Sequence, residues 1–242
     1  MEGTMDKKVL TIIPAKLGST RLPRKNILPL RGRPLIEYTI KSATESGCCG
    51  EIMVSTESEE IADIAKQAGA KVPFMRSKDL ARDPAGVADV CLDVLRQYER
   101  IGKFFDILII LLPTTPFRTP NDIRNALDIF KKNKAKFLMS VSEFGHNPFW
   151  ALKRLKQKSL IMEPCFPDFI NLKRHELPNT YRANGAITIV DIPSFLENRT
   201  YYGRPLFTYT MPWNRSVDID TLEDFLFAEF LLERGIFDEQ DS

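Results

Sequence analysis

The sequence predicts an α/β domain built on a mostly parallel sheet. Three observations carry this expectation. Short apolar runs alternate with helical-period segments from residue 9 to residue 142, and the connections between them are short. The run DILIILL (106–112) is apolar almost throughout, as a strand covered on both faces has to be. A length of 242 residues suits one domain spanning 1–242 and leaves ample material for a core.

In chain order, VLTII (9–13) reads as a buried strand. Pro34 opens a helix that runs to about Ser46 and ends near Gly47, a residue suited to the left-handed turn after a helix. EIMVS (51–55) is a second strand. In 58–68 the apolar residues fall at 61, 64, 65 and 68, one face of a helix closed by Gly69. KVPF (71–74) reads as a short strand, and a helix follows from about Gly86 to Arg100 with its stripe at Val87, Val90, Cys91, Val94, Leu95 and Tyr98. DILIILL is expected to be a central parallel strand. Thr119, Pro120 and Asp122 carry the signature of a helix start, with a hydroxyl cap, a proline in the first position and an acid in the third. KFLMSVS (136–142) is the next strand. Residues 144–183 are rich in Pro, Asn, Lys and aromatics with weak periodicity, which predicts a loop-rich insert or small antiparallel arm. AITIVD (186–191) returns to strand, and TLEDFLFAEFLLERG (221–235) is a closing helix with an acidic first turn.

The balance of 34 Lys and Arg against 32 Asp and Glu leaves a net charge of +2, which argues against a nucleic-acid binder. No apolar run approaches the roughly 18 residues of a spanning helix. The N-terminal stretch lacks the apolar core of a signal peptide. A cytoplasmic protein without a membrane partner is the expectation. Of the four cysteines, Cys48 and Cys49 are adjacent, Cys91 and Cys165 are isolated, and no CxxC occurs, which suits reduced, mostly buried thiols. The two histidines, His146 and His175, have no ligand spacing.

Against this neutral background one loop stands out. PAKLGSTRLPRKN (14–26) carries Lys16, Arg21, Arg24 and Lys25 with no acid, directly after the first strand. Ligands of open α/β sheets bind beyond the carboxyl ends of the strands. Gly18 permits close backbone approach, Ser19 and Thr20 add donors, and Lys16, Arg21 and Lys25 can surround several phosphate oxygens. Neither GxxxxGK[ST] nor GxGxxG is present, so the loop reads as a polyphosphate site of another design, the alternative being a solvated basic turn. Asp218 and Asp220 lie two apart, a spacing that puts both carboxylates on one face of an extended chain. Taken alone, the pair suits either Mg²⁺ or a helix cap, with Asp220 and Glu223 forming a capping box. Asn26 and Arg76 are candidates for base and ribose contacts, Asn26 equally for a turn. Arg118 and Arg182, the latter beside Asn184 and Gly185, are candidates for a substrate carboxylate.

The segment IIPAKLGSTRLPRKNILPLRGRPLIEYTI resembles the N-terminal signature of the sugar-acid cytidylyltransferases, among them the CMP-sialic acid (acylneuraminate), legionaminate, pseudaminate and CMP-Kdo synthetases. VPFMRSKDLARDPAG (72–86), LLPTTPFRTPNDI (111–123), YRANGAITI (181–189) and SVDIDTLEDFLFAE (216–229) resemble further family segments in the same order. Leu112 stands where the sialate branch usually has Gln, and the Ser-Thr-Arg-Leu-Pro form of the loop resembles the Kdo branch. The resemblance implies a Rossmann-like nucleotidyltransferase with a small dimerisation arm at about 144–183, and so a homodimer. It implies transfer of CMP from CTP to a nonulosonic, sialic-type sugar acid with release of pyrophosphate, giving a CMP-activated sugar for surface glycan synthesis. The alternatives are a Kdo-type acid and a non-catalytic nucleotide-binding homologue. On this resemblance Lys16, Gly18, Ser19, Arg21, Lys25, Asn26 and Arg76 bind the nucleotide. Lys16, Arg21, Lys25 and Asp220 act in catalysis, Asp218 and Asp220 hold Mg²⁺, and Arg118, Arg182 and Asn184 bind the sugar acid.

Overall fold

The structure, a computed structural model, describes residues 7–157 and 160–236. The first six residues, part of the stretch read against a signal peptide, and residues 158 and 159 of the expected arm lie outside it. Its centre is a six-stranded sheet in the order β10-β6-β9-β5-β1-β4. These strands are β1 (Val9–Pro14), β4 (Glu51–Ser55), β5 (Ile107–Ile110), β6 (Phe137–Glu143), β9 (Tyr181–Asp191) and β10 (Leu206–Thr210). β1 pairs in parallel with β4 and β5, and β10 in parallel with β6. β9 alone runs antiparallel, between β5 and β6, so the sheet is mostly parallel as expected.

Strand periodicity builds a layered core. In β1, Val9 and Ile13 face one side and Leu10 and Ile12 the other. On the first side pack α1 (Leu35–Ser46), α2 (Glu59–Gln67) and α4 (Pro120–Lys132), through Ile40, Ile61, Ala65, Ile123 and Leu127. On the second pack α3 (Val87–Arg100) and α5 (Ile192–Asn198), through Cys91, Val94, Tyr98 and Phe195. Each fully buried Ile or Leu contributes about 1.5–3 kcal/mol. A third cluster seats α6 (Leu222–Glu233) by Phe225, Ala228 and Leu231 against Leu22, Leu30, Phe117 and Ile219. Leu30 belongs to a two-residue ladder, β2 (Pro29–Leu30) with β3 (Arg33–Pro34).

The helix starts follow the expected chemistry. Thr119 accepts from the Asp122 N–H at 3.1 Å while Asp122 accepts from the Thr119 N–H at 2.8 Å. Gly47 closes α1 at φ 66°. The insert contains an antiparallel hairpin, β7 (Leu152–Arg154) with β8 (Met162–Pro164).

Four expectations are corrected. KVPF forms no strand, because only Lys71 bridges to Met53 while the rest of the segment leaves the sheet. The strand expected at 186–191 begins at Tyr181, so the insert ends sooner than 183. Gly185, at φ 72°, sits where the register between β6 and β9 shifts, and the strand continues through this irregularity. α5 and β10 were not anticipated. α6 is capped by Thr221, which accepts from the Asp224 N–H at 3.3 Å, with Asp224 accepting in return from the Thr221 N–H at 2.9 Å. Asp220 and Glu223 therefore do not form its capping box.

The direction of β9 decides where the site lies. Because it runs against its neighbours, its first residues reach the same end of the sheet as the last residues of β1, β4, β5, β6 and β10. The loops 15–28 and 111–118, the start of β9 and the segment 211–220 meet there.

Candidate active site

The acid-free loop and the paired carboxylates, about 200 residues apart in sequence, are in direct contact. Arg21 Nη2 donates to Asp220 Oδ2 and Lys25 Nζ to Asp220 Oδ1, each at 2.6 Å, and Lys25 Nζ also reaches the Ile219 carbonyl at 3.2 Å. Burial pushes the Asp220 pKa up, but Lys25 and Arg21 together outweigh it and hold the carboxyl below its usual range. Ile219 is fixed by its N–H to the Thr114 carbonyl at 2.8 Å, which ties this segment to the loop after β5.

Asp218 is the buried member of the pair. Its Oδ1 is shielded from solvent and has no hydrogen-bond partner among the described residues. Burial, and then the charge of Asp220, push its pKa up against a Thr114 hydrogen bond and the charge of Lys25. Asp218 lines a cavity of about 230 Å³ with Leu112, Met139, Gly185, Tyr201 and Tyr202 among its walls. A Cβ on Gly185 would come within 3.2 Å of Leu112 Cδ1 and 4.0 Å of Asp218 Oδ2, so the missing side chain keeps this space open.

The other expected residues divide. Lys16 and Gly18 are exposed and Ser19 half-buried on the loop. Asn26 takes the turn role, since it is buried and its Nδ2 donates to the Lys16 carbonyl at 2.8 Å. Leu17 N–H donates to Glu57 Oε1 at 2.8 Å, a second anchor of the loop that sequence reading did not single out. Arg24 turns away to pair with Glu60 of α2 at 2.5 Å. Arg76 is turned inward, its Nε 3.1 Å from Ser55 Oγ and its Nη2 on the Ser55 carbonyl. Its N–H reaches the Thr56 carbonyl at 2.8 Å, so in this conformation Arg76 braces the end of β4.

Arg182 is exposed at the start of β9, with Nη2 3.4 Å from the Ser216 carbonyl, two residues before Asp218. Arg118 corrects its expectation as a carboxylate ligand. It is 2% exposed, and it donates to the Ala186 carbonyl and to Thr39 Oγ1, both at 2.7 Å, and to the Leu112 carbonyl and Thr115 Oγ1. Burial lowers its pKa to about 9, against the charges of Asp122 and Asp218. A guanidinium so engaged staples the 112–118 loop to β9 and α1. Asn184 is corrected likewise. It is buried, its Oδ1 accepts from Ser140 Oγ at 2.6 Å and from the Ala186 N–H at 3.1 Å, and its Nδ2 donates to Ser216 Oγ at 2.9 Å. Both residues shape the site from behind.

Tyr201 and Tyr202 were missed. Adjacent aromatics in NRTYYGRP, flanked by Gly and Pro, were the available signal. Gly203 explains the placement, because a Cβ there would lie 2.1 Å from Phe137 Cε2 and push this loop off the sheet.

Residues 10–210 match the cytidylyltransferase family model. The chain is 40% identical over 227 residues to the CMP-N,N'-diacetyllegionaminic acid synthase of Legionella pneumophila, covering 93% of this chain and 97% of that protein. It is 32% identical over 226 residues to a pseudaminic acid cytidylyltransferase of Campylobacter jejuni, covering 93% and 96%. Among solved structures, a CMP:2-keto-3-deoxy-manno-octonic acid synthetase complexed with CTP superposes with a TM-score of 0.70 over 94% of this chain and 99% of that one. At 18% identity this is a likeness of fold.

Proposed function

Since this chain belongs to the cytidylyltransferase family, we propose that it transfers CMP from CTP to a nonulosonic acid of the legionaminic type, forming a CMP-sugar and pyrophosphate. The observation that carries this reading is the convergence of Arg21 and Lys25 on Asp220, beside an Asp218 oxygen with no partner among the described residues. Two cations held at a sheet end by one carboxylate are poised to be transferred to phosphate oxygens.

A sugar hydroxyl attacks the α-phosphorus in line. The new O–P bond forms as the bond to the leaving pyrophosphate breaks. Lys16, Arg21 and Lys25 bind the triphosphate and neutralise charge that grows on the leaving group, the main help a protein gives to this chemistry. The exposed guanidinium of Arg182 orients the acid by its carboxylate. The apolar and aromatic wall of Leu112, Met139, Tyr201 and Tyr202 takes the body of the sugar and excludes water. Arg118 and Asn184 keep β9 and the 112–118 loop in register behind them.

The carboxylates fit Mg²⁺. Asp218 offers a hard oxygen that has no hydrogen-bond partner among the described residues, and Asp220 lies two residues on. Among the described residues no group of three or more His, Cys, Asp or Glu could hold a metal, so Asp218 and Asp220 would hold Mg²⁺ together with nucleotide phosphates. Bound there, Mg²⁺ supplies charge neutralisation on the nucleotide phosphates.

The arm exposes Leu152, Leu155, Ile161, Met162 and Phe166, and α6 exposes Leu222, Leu226, Phe227 and Phe230. So much apolar surface on one chain supports a homodimer. Among the described residues no helix is long and apolar enough to cross a membrane, and we place the enzyme in the cytoplasm, with its CTP. Purified protein given CTP and a panel of legionaminic, pseudaminic, sialic and Kdo acids tests the substrate. The highest kcat/KM belongs to the legionaminic acid; a preference for Kdo would replace this substrate class with the alternative.

A further inference from the structure

A buried cluster behind the paired carboxylates has no part in the chemistry above. Arg215 lies three residues before Asp218 in MPWNRSVDID. Its guanidinium forks onto one carboxylate: Nη2 donates to Asp122 Oδ1 at 3.0 Å and Nε to Asp122 Oδ2 at 3.2 Å. Tyr209 of β10 adds a third donor, its hydroxyl 2.8 Å from Asp122 Oδ1. Asp122 Oδ2 also takes the Thr119 N–H, so both oxygens are occupied. The Asp122 side chain is 1% exposed and that of Arg215 12%, so solvent does little to weaken the pair. From Arg215 the chain runs stiffly to the site. The Arg215 and Ser216 N–H groups donate back to the Pro212 and Trp213 carbonyls at 3.2 and 3.1 Å. Ser216 is fully buried, with Oγ donating to the Pro212 carbonyl at 2.8 Å and accepting from Asn184 Nδ2 at 2.9 Å.

We infer that Arg215 is a positioning residue for the CMP transfer proposed above, on which this reading rests: its fork on Asp122, steadied by Tyr209, sets the place of the 216–220 segment and so of Asp218 and Asp220. Stability alone does not account for the pair. Well-packed apolar side chains serve a buried contact as well as two charges that must both leave water. What a planar fork adds is orientation. Asp122 is itself fixed, because it belongs to the capping box of α4. The fork thus ties the entry of the segment to α4, while the Ile219 N–H ties its far side to the Thr114 carbonyl at 2.8 Å. Asp218 lies between these two ties and has little freedom to move. A displacement of about 1 Å at a reacting centre costs on the order of 10²-fold in rate.

Steady-state kinetics, thermal melts and hydrogen exchange on full-length variants test this role. Arg215→Met leaves Asp122 charged and unpaired, and both Tm and kcat are expected to fall. Adding Asp122→Asn removes the second charge. In that double variant Tm is expected to recover, while kcat stays roughly ten- to a hundred-fold below wild type. KM for the acid changes little, and the Ser216 and Ile219 amides exchange faster than in the wild type. Arg215→Lys keeps a charge opposite Asp122 without the fork, and the same loss of kcat is expected there near the wild-type Tm. Recovery of kcat together with Tm in the double variant, or wild-type kcat in Arg215→Lys, overturns the inference. If the wild type releases no pyrophosphate with any nonulosonic acid, the proposed activity fails instead. Exchange at Ser216 and Ile219 then decides alone, and rates unchanged in the double variant overturn the positioning role.

Discussion

At Asp220 a single carboxylate answers two cations, and its removal separates chemistry from fold. Asp220→Asn keeps the shape but loses the charge that holds Arg21 and Lys25. We expect kcat to fall by roughly 10² to 10³ with melting little changed, as for loss of one transition-state stabiliser. The pH dependence follows from its depressed pKa. The stability from this pair is present above the unfolded value of about 3.9 and is lost as pH falls through the lower folded value. Acid titration of the wild type against Asp220→Asn checks the sign. The two arginines separate by burial. Arg182→Leu raises the KM for the sugar acid roughly ten- to a hundred-fold and leaves CTP affinity intact, the expected effect of losing a hydrogen bond to a charged group. Arg118→Leu removes the side-chain donor to the buried Ala186 carbonyl and one partner each of the Leu112 carbonyl and the Thr115 and Thr39 hydroxyls. At about 1–3 kcal/mol for each unsatisfied group, the variant is expected to lose several degrees of Tm before any selective effect on the acid appears. Thermal melts beside KM measurements distinguish them. The sequence offered both arginines, with Arg182 ahead and Arg118 as its competitor; the folded packing shows that Arg182 is the one that still faces outward.

At the level of elements, local rules were legible where local chemistry decides. The Thr119-Pro120-Asp122 start of α4 and the Gly47 end of α1 follow from capping and left-handed geometry alone. Where partners are distant the local reading fails. In DIDTLED both Asp220 and Thr221 suit an N-cap, and Thr221 takes it because Asp220 is drawn to Lys25 and Arg21. The antiparallel direction of β9 is a tertiary property with no local signature, yet it brings Arg182 and Gly185 to the site. Gly185→Ala tests this part of the strand. The positive φ strains any L side chain, and the added Cβ meets Leu112. We expect a loss of about 1 kcal/mol or more in stability and a higher KM for the acid, read by denaturant melts and steady-state kinetics. In the arm, Ile161→Glu puts a charge on the exposed apolar face. Sedimentation is expected to report a dimer for the wild type and a monomer for the variant; an unchanged dimer would move the interface elsewhere.

For the molecule as a whole, the sheet is a device for bringing remote segments to one end. A net charge of +2 hides a local cation cluster, and the counter-charge at Asp220 lies at the far end of the chain. The reaction class was legible through the resemblance of five segments to one family; the cationic loop by itself pointed only to a polyphosphate. The tyrosine wall was not, since aromatic pairs serve cores as often as sites and only the approach of Gly203 to Phe137 puts this pair at the cavity. The most direct measurement of the account follows the label from CTP carrying radioactive phosphorus at either the α or the γ position, with a legionaminic-type acid and Mg²⁺. The account predicts α-label in the sugar product, γ-label in pyrophosphate, one of each per turnover, and loss of both on chelation of the metal. Binding of CTP without release of pyrophosphate on any nonulosonic acid, or α-label remaining with the leaving group, would contradict it.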